Sequence, residues 1–158
     1  MNLFIRKKAY IFMDRYNVLD DTGRVVYSVD GKLLRLIGHL EIRDRAGVMV
    51  LRIRKGFNPF FSVYTVDNDD GASVRIKQNF RVRLLFSFVA DGQMFTVSGN
   101  FRACDYSIYR EDGPVGSLRK RSLRWGDTYI LSVQDLEIAP LLCALTICID
   151  NALFRRRS

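Results

Sequence analysis

The chain has 158 residues, a formal net charge of +8 and a hydrophobic content of 48%. This length fits one domain, residues 1–158, and the apolar content excludes an intrinsically disordered chain. The positive charge favours anionic partners, namely phospholipid headgroups, nucleic acid or acidic protein surfaces.

The N-terminal segment and the cysteines indicate a reduced compartment. Arg6, Lys7 and Lys8 stand where a secretory signal would need its apolar run, so we expect no export signal. Three cysteines without CxxC spacing are typical of a cytosolic protein. With His39 as the only histidine, we expect neither a metal site nor a cofactor, and a cytoplasmic location that includes the periphery of the membrane.

Turn signals recur along most of the chain. Glycines at 23, 47, 71, 92 and 113 are spaced by 24, 24, 21 and 21 residues, and each closes a short polar turn rich in Asp, Asn or Glu. Asp and Asn side chains bond to their own backbone in turns, and Gly supplies positive φ without steric cost. Such turns between alternating apolar runs predict five β-hairpins.

The segments that flank these turns alternate with period two. Val74 and Ile76 alternate with Arg75 and Lys77, and a longer run of the same kind extends over 80–88. One buried and one solvated face are expected for such strands. The pattern predicts 10–12 antiparallel strands in total, which would close into a barrel because closure removes exposed edges.

The C-terminal segment has a different pattern. From Ile138 to Ile149 it is apolar on every side, and Asp135 can cap its start. This run of 12 residues is shorter than the roughly 20 needed to cross a bilayer. A helix over 138–154 would instead match the height of the barrel, so we predict that it fills the lumen.

Several motifs resemble one known family. The segments YNVLDDTGRVVYSVDGKLL, LEIRDRAGVMVLRIRK, SGNFRACDYSIYREDGPVGSLRKR, LRWGDTYILSV and LLCALTICIDNAL are similar to those of LURP-one-related proteins. That family belongs to the tubby C-terminal-like superfamily, which includes the phospholipid scramblases. The resemblance implies a mainly β fold, a closed antiparallel barrel of about twelve strands around a central hydrophobic C-terminal helix. Relatives in the superfamily bind phosphoinositides or act at membranes.

Basic side chains are the candidate site residues, for an anionic ligand. The first group occupies predicted outward positions of neighbouring repeats, and the second is a short run near the end of the strands: Arg52, Arg54, Arg75, Lys77, Arg81 and Arg83, and Arg119, Lys120, Arg121 and Arg124. If the first group converges, it makes a positive stripe suited to phosphate; charges scattered over a solvated face are the alternative.

No catalytic motif stands out, because the chain lacks G-x-S-x-G, a Walker loop and a dinucleotide fingerprint. We therefore expect a non-catalytic binding module that engages anionic lipid or phosphorylated ligands. A protein-interaction or stress-related scaffold is the main alternative. Nucleic-acid binding is less favoured, since the aromatic residues at 80, 86 and 88 face away from the arginines. An enzyme acting on a small ligand is also less favoured.

Overall fold

In a computed structural model of the chain, twelve antiparallel strands close into a barrel around one C-terminal helix, as predicted. The structure describes residues 1–9, 13–33, 37–58, 61–79, 84–100, 103–123 and 126–157. The strands are β1 (Asn2–Ala9), β2 (Asp14–Leu19), β3 (Val25–Leu33), β4 (Gly38–Arg43), β5 (Met49–Lys55), β6 (Val63–Asn68), β7 (Ser73–Gln78), β8 (Leu84–Ala90), β9 (Gln93–Asn100), β10 (Asp105–Arg110), β11 (Gly113–Leu123) and β12 (Gly126–Val133). A 3-10 turn, Leu136–Ile138, leads into the helix α1 (Ala139–Arg157).

The predicted polar turns connect consecutive strands. Asp20 Oδ1 accepts bonds from the backbone N–H groups of Thr22 and Arg24, at 2.9 and 3.0 Å. Asp44 makes the same pair of bonds one hairpin later, at 2.9 and 3.0 Å. Side-chain acceptance of turn N–H groups explains why these hairpins repeat an acidic residue at the same place.

Each strand pairs with its sequence neighbours, and β1 pairs with β12 to close the ring. Most inward positions are apolar and buried, for example Leu51 and Ile53 on β5 and Val97 on β9. The outward positions between them are polar, so the period-two pattern of the sequence marks the two faces of the barrel wall.

The helix α1 fills the lumen. Its residues from Leu142 to Ile149 are at most marginally exposed, and Asp135 caps the preceding 3-10 turn by accepting the N–H of Glu137 at 3.0 Å. The segment Leu136–Leu153 is long and apolar enough to cross a membrane, with a mean hydropathy of 1.7, but 67% of it is buried inside the protein. It is the core of this fold, and the predicted plug is confirmed.

Candidate functional site

The two ends of the barrel differ because consecutive strands run in opposite directions. The five polar hairpin turns all lie at one end, where α1 also begins; we call it the turn end. The helix reaches the opposite end at Asp150 and Asn151, whose partners lie at the other termini of the strands; we call it the helix-exit end.

Charge is sorted between these ends. The turn end carries acidic residues of the turns and of the helix start: Asp20, Asp21, Asp44, Asp69, Asp70, Asp91, Glu111, Asp112, Asp135 and Glu137. Basic residues are concentrated toward the helix-exit end of the strands: Lys7, Lys8, Arg15, Lys32, Arg54, Lys55, Lys77, Arg119, Lys120 and Arg121. The sorting is not complete, since Arg45 and Arg110 form ion pairs at the turn end and Asp30 pairs with Arg15 at the other.

The described members of the first predicted group lie on the outer face of β5 and β7: Arg52, Arg54, Arg75 and Lys77. Arg54 and Arg75 flank Thr65 of β6 in register, so these side chains are neighbours on one surface. Arg54 holds Asp67 through two hydrogen bonds of 2.5 and 3.0 Å, and these bonds lower the pKa of the Asp67 carboxyl.

Arg52 is also paired, at 3.0 Å from Glu41, whose carboxyl pKa is lowered chiefly by that bond. Arg75 and Lys77 are exposed and have no acidic partner among the residues that the structure describes. Two of these four cations are therefore largely neutralised, and two are available to a ligand.

The second group divides in a different way. Arg119 is 72% exposed and only 3.5 Å from Asp105, and Arg121 is exposed as well. Lys120 points into the barrel: its side chain is 7% exposed, with Nζ 2.8 Å from Asp127 and 5.7 Å from the ring centre of Tyr129. Lys120 is thus not part of the accessible surface.

Three predicted site residues, Arg81, Arg83 and Arg124, lie outside the described residues. The described members do not form one stripe, because β7 and β11 are four places apart in the ring. What they share is the helix-exit end. We define the basic rim as five of its exposed cations on the outer wall, without Arg15 and Arg54, which lie 2.7 and 2.5 Å from a carboxylate: Lys8, Lys32, Lys77, Arg119 and Arg121.

Exposed apolar side chains accompany this rim. Met13, Ile37 and Phe57 lie in three different strand connections at the helix-exit end and are 44%, 56% and 69% exposed. These three residues cannot be recognised from the sequence, because a lone apolar residue in a loop carries no pattern. Only the topology shows that these connections share one end of the molecule.

Inside the helix-exit end, three lysine–tyrosine pairs repeat. In each pair the two residues face each other on adjacent strands, and the ammonium lies 5.5, 5.7 and 5.7 Å from the ring centre: Lys7 with Tyr16, Lys55 with Tyr64, and Lys120 with Tyr129. Each pair is a Lys-x8-Tyr motif, a signal that could have been read in the sequence.

These pairs hold the end of the helix. Asp150, 5% exposed, accepts hydrogen bonds from Tyr129 at 2.6 Å, Tyr16 at 2.8 Å and Lys7 at 3.0 Å. Burial, together with the Asp150 charge and hydrogen bond, raises the pKa values of Tyr16 and Tyr129 well above the usual range.

Asn151 repeats the arrangement on the next helix position. Its Oδ1 accepts bonds from Lys55 Nζ and Tyr64 Oη, both at 2.7 Å. Buried polar groups that are mutually satisfied fix a helix in depth and rotation. We interpret this network as structural.

Comparison with known proteins identifies the lineage. The profile of the LURP-one-related family matches residues 1–150. The chain belongs to the LURP-one-related family. The Bacillus subtilis (strain 168) protein named "Uncharacterized protein YxjI" is 21% identical over 157 residues, which cover 98% of this chain and 94% of that relative. No solved structure matches the chain.

Two cysteines of this LURP-one-related protein lie on the core helix. Cys143 and Cys148 are fully buried, and burial raises the pKa of the Cys143 thiol to about 12, so neither is an activated nucleophile. The described residues contain no group of three potential metal ligands. The candidate site is therefore the helix-exit surface, with its basic rim and its three apolar side chains.

Proposed function

We propose that this protein is a non-catalytic, cytoplasmic binding module whose helix-exit end engages anionic phospholipid at a membrane surface. The observation that supports this most is the coincidence of the basic rim with Met13, Ile37 and Phe57 at one end of the barrel. Cations attract the negative headgroups, and apolar tips gain free energy by entering the boundary between headgroups and acyl chains.

The reach of the rim is suited to a flat anionic surface. Lysine and arginine extend their charged groups on long stems, so cations spaced around a barrel end can contact one plane together. Each such contact contributes roughly 1 kcal/mol near an anionic membrane. The acidic turn end would orient away from the same surface, so that the charge distribution also favours one orientation.

The three exposed apolar side chains favour a membrane over a soluble phosphate as the ligand. Phe57, 69% exposed, would gain roughly 1–2 kcal/mol by partial burial in lipid and nothing from a small phosphate in water. The described aromatic residues of β8, Phe86 and Phe88, are buried, so they offer no stacking platform for nucleic acid.

Vesicle co-sedimentation tests the proposal. The intact protein should bind vesicles of phosphatidylcholine with phosphatidylserine and should not bind phosphatidylcholine alone. Lys77→Glu or Arg121→Glu should each weaken binding roughly 30-fold, since two charge units are lost, whereas Arg24→Glu, at the turn end, should have little effect. Equal binding by the rim variants and Arg24→Glu would overturn the proposal.

The same vesicles test the contribution of the exposed apolar side chains. Phe57→Ser should weaken binding roughly ten-fold, and the matched change Val48→Ser, at a turn-end residue 59% exposed, should not. Titration with inositol hexakisphosphate provides the contrast. Binding of this soluble phosphate with no binding to vesicles would show that the rim recognises phosphorylated ligands in solution and would remove the membrane from the proposal.

A further inference from the structure

The ladder of paired residues between β7 and β8 is shorter than either strand. Among the described residues, these two strands pair at Lys77 with Ser87 and at Gln78 with Phe86, near the helix-exit end. Continuation of the ladder would bring Arg75 opposite Val89, but the described residues show no pairing there. We call this unpaired part of β7 and β8 the seam.

Backbone hydrogen-bonding groups point into the seam. The N–H of Gln78 bonds to the carbonyl of Ser62 at 3.0 Å, on the β6 side. Since successive residues of a strand direct these groups to opposite sides, those of Arg75 face β8. On β8, Ala90 pairs with Gln93 across the Asp91-Gly92 turn, so the groups of Val89 face β7 by the same alternation.

A cavity of about 310 Å³ lies at the seam, at the small end of the range for ligand pockets. Ile138 and Leu141, at the start of the helix, line it together with Val74 of β7, and both helix residues are only partly buried. Val89, on the other side of the seam, is 52% exposed. The cavity thus joins an apolar floor to the parts of β7 and β8 that show no pairing with each other among the described residues.

The charged residues that line the cavity are all acidic, opposite in sign to the net charge of the molecule. Asp69 and Asp91 line it, one in the turn beside each edge of the seam, and Glu137 lines it at the start of the helix. Each is exposed, and none forms an ion pair within the part of the chain that the structure describes. On a chain of net charge +8, this combination selects a cationic partner.

From these features we infer that the seam binds an extended peptide segment of another protein, one with apolar side chains on one face and at least one lysine or arginine. The peptide pairs with the free edges of β7 and β8, places an apolar side chain over Ile138 and Leu141, and directs its cation to Asp69 and Asp91. Main-chain pairing supplies affinity, and the cavity and carboxylates supply selectivity. This site is at the opposite end from the proposed membrane surface, so that both can be occupied together.

The test uses the full chain and the synthetic peptide KVTVTVK, with two controls. EVTVTVE keeps the strand propensity and reverses the charge, and KVPVPVK keeps the charge but cannot pair along a strand edge. KVTVTVK should bind with measurable affinity by fluorescence anisotropy, and both controls should bind at least ten-fold more weakly. No binding of KVTVTVK, or equal binding of all three peptides, would overturn the inference.

Two further measurements locate the site. Asparagine tolerates the observed φ of +50° at position 91, so Asp91→Asn should keep the turn. This variant should weaken the binding of KVTVTVK about five-fold, whereas Asp21→Asn, in another turn at the same end, should not weaken it. Hydrogen exchange should show new protection of the Arg75 and Val89 amides when the peptide is bound.

Alternative occupants give different results. Spermine that competes with KVTVTVK but leaves the exchange of those amides unchanged would show a site for amines and not for strands. Concentration-dependent dimerisation that protects the same amides without peptide would assign the seam to a second copy of the chain. Either result would overturn the inference.

Discussion

Asp150 is the residue whose removal should cost this fold most. It is a carboxylate on the core helix, 5% exposed, held by Tyr16, Tyr129 and Lys7 at 2.6–3.0 Å. In Asp150→Ala the two tyrosine hydroxyls lose their acceptor inside the barrel, where no water replaces it without cost.

The magnitude follows from the burial of each partner. Hydrogen bonds to a charged group contribute about 1.5–3 kcal/mol each, and two of them are buried. The Lys7 side chain is 27% exposed and can return its charge to solvent, so its loss adds less. We expect Asp150→Ala to lower the free energy of unfolding by about 3–5 kcal/mol, the range for breaking a buried pair.

Chemical denaturation with circular dichroism measures this loss, and Asp30→Ala is the matched control. Asp30 also pairs with a basic residue, Arg15 at 2.7 Å, but both side chains are more than 40% exposed, so its removal should cost less than about 1 kcal/mol. In a thermal scan, the melting temperature of Asp150→Ala should be lower than that of the unaltered protein by roughly 8–16 °C. If Asp150→Ala is no less stable than Asp30→Ala, the interpretation of the tyrosine network as structural is wrong.

Three further predictions follow from the same core. The pKa of Tyr16 is raised in the folded state, so above about pH 10 this tyrosine ionises in the unfolded chain but not in the folded protein, and the free energy of unfolding falls with pH. In Tyr16→Phe this fall should be less steep by about 1.4 kcal/mol per pH unit. Gly99→Ala would place Cβ 2.2 Å from a backbone oxygen of β10, at a φ of +154°. In a urea titration this variant should lose about 3 kcal/mol or more of its free energy of unfolding. The control Gly71→Ala, whose Cβ meets nothing within 4 Å, should lose only about 1–2 kcal/mol. Cys143 and Cys148 should react with Ellman's reagent only at the rate of unfolding; rapid labelling of the native protein would contradict their full burial.

Most of the fold was predictable because its signals are local. The Asp-Gly turns, the alternation on β7 and the uniformly apolar run after Asp135 each reflect a preference of a few neighbouring residues. The structure has strands, hairpins and a helix at these places. The family resemblance narrowed the predicted number of strands from 10–12 to about twelve and agreed with the predicted closure.

The candidate site was less predictable, and Lys120 shows why. It was grouped with Arg119 and Arg121 as one basic run, but successive strand residues face opposite sides, and Lys120 follows Leu118 to the inner face. A bulge near the start of β11, opposite the shift between Ile108 and Tyr109, also resets the alternation after Val115. Composition identified the charges but not the side to which each points.

The sequence by itself determined the turns, the strand alternation and the dry helix, since each depends on interactions between residues close in the chain. Only the tertiary structure decided that acidic turns spaced more than 20 residues apart all lie at one end and that cations from β1, β3, β7 and β11 share the other. It also decided that the described pairs between β7 and β8 stop short of the turn end. The physical reason is closure. When antiparallel strands form a ring around a helix, alternate connections are brought together in space, and no local preference along the chain encodes that neighbourhood.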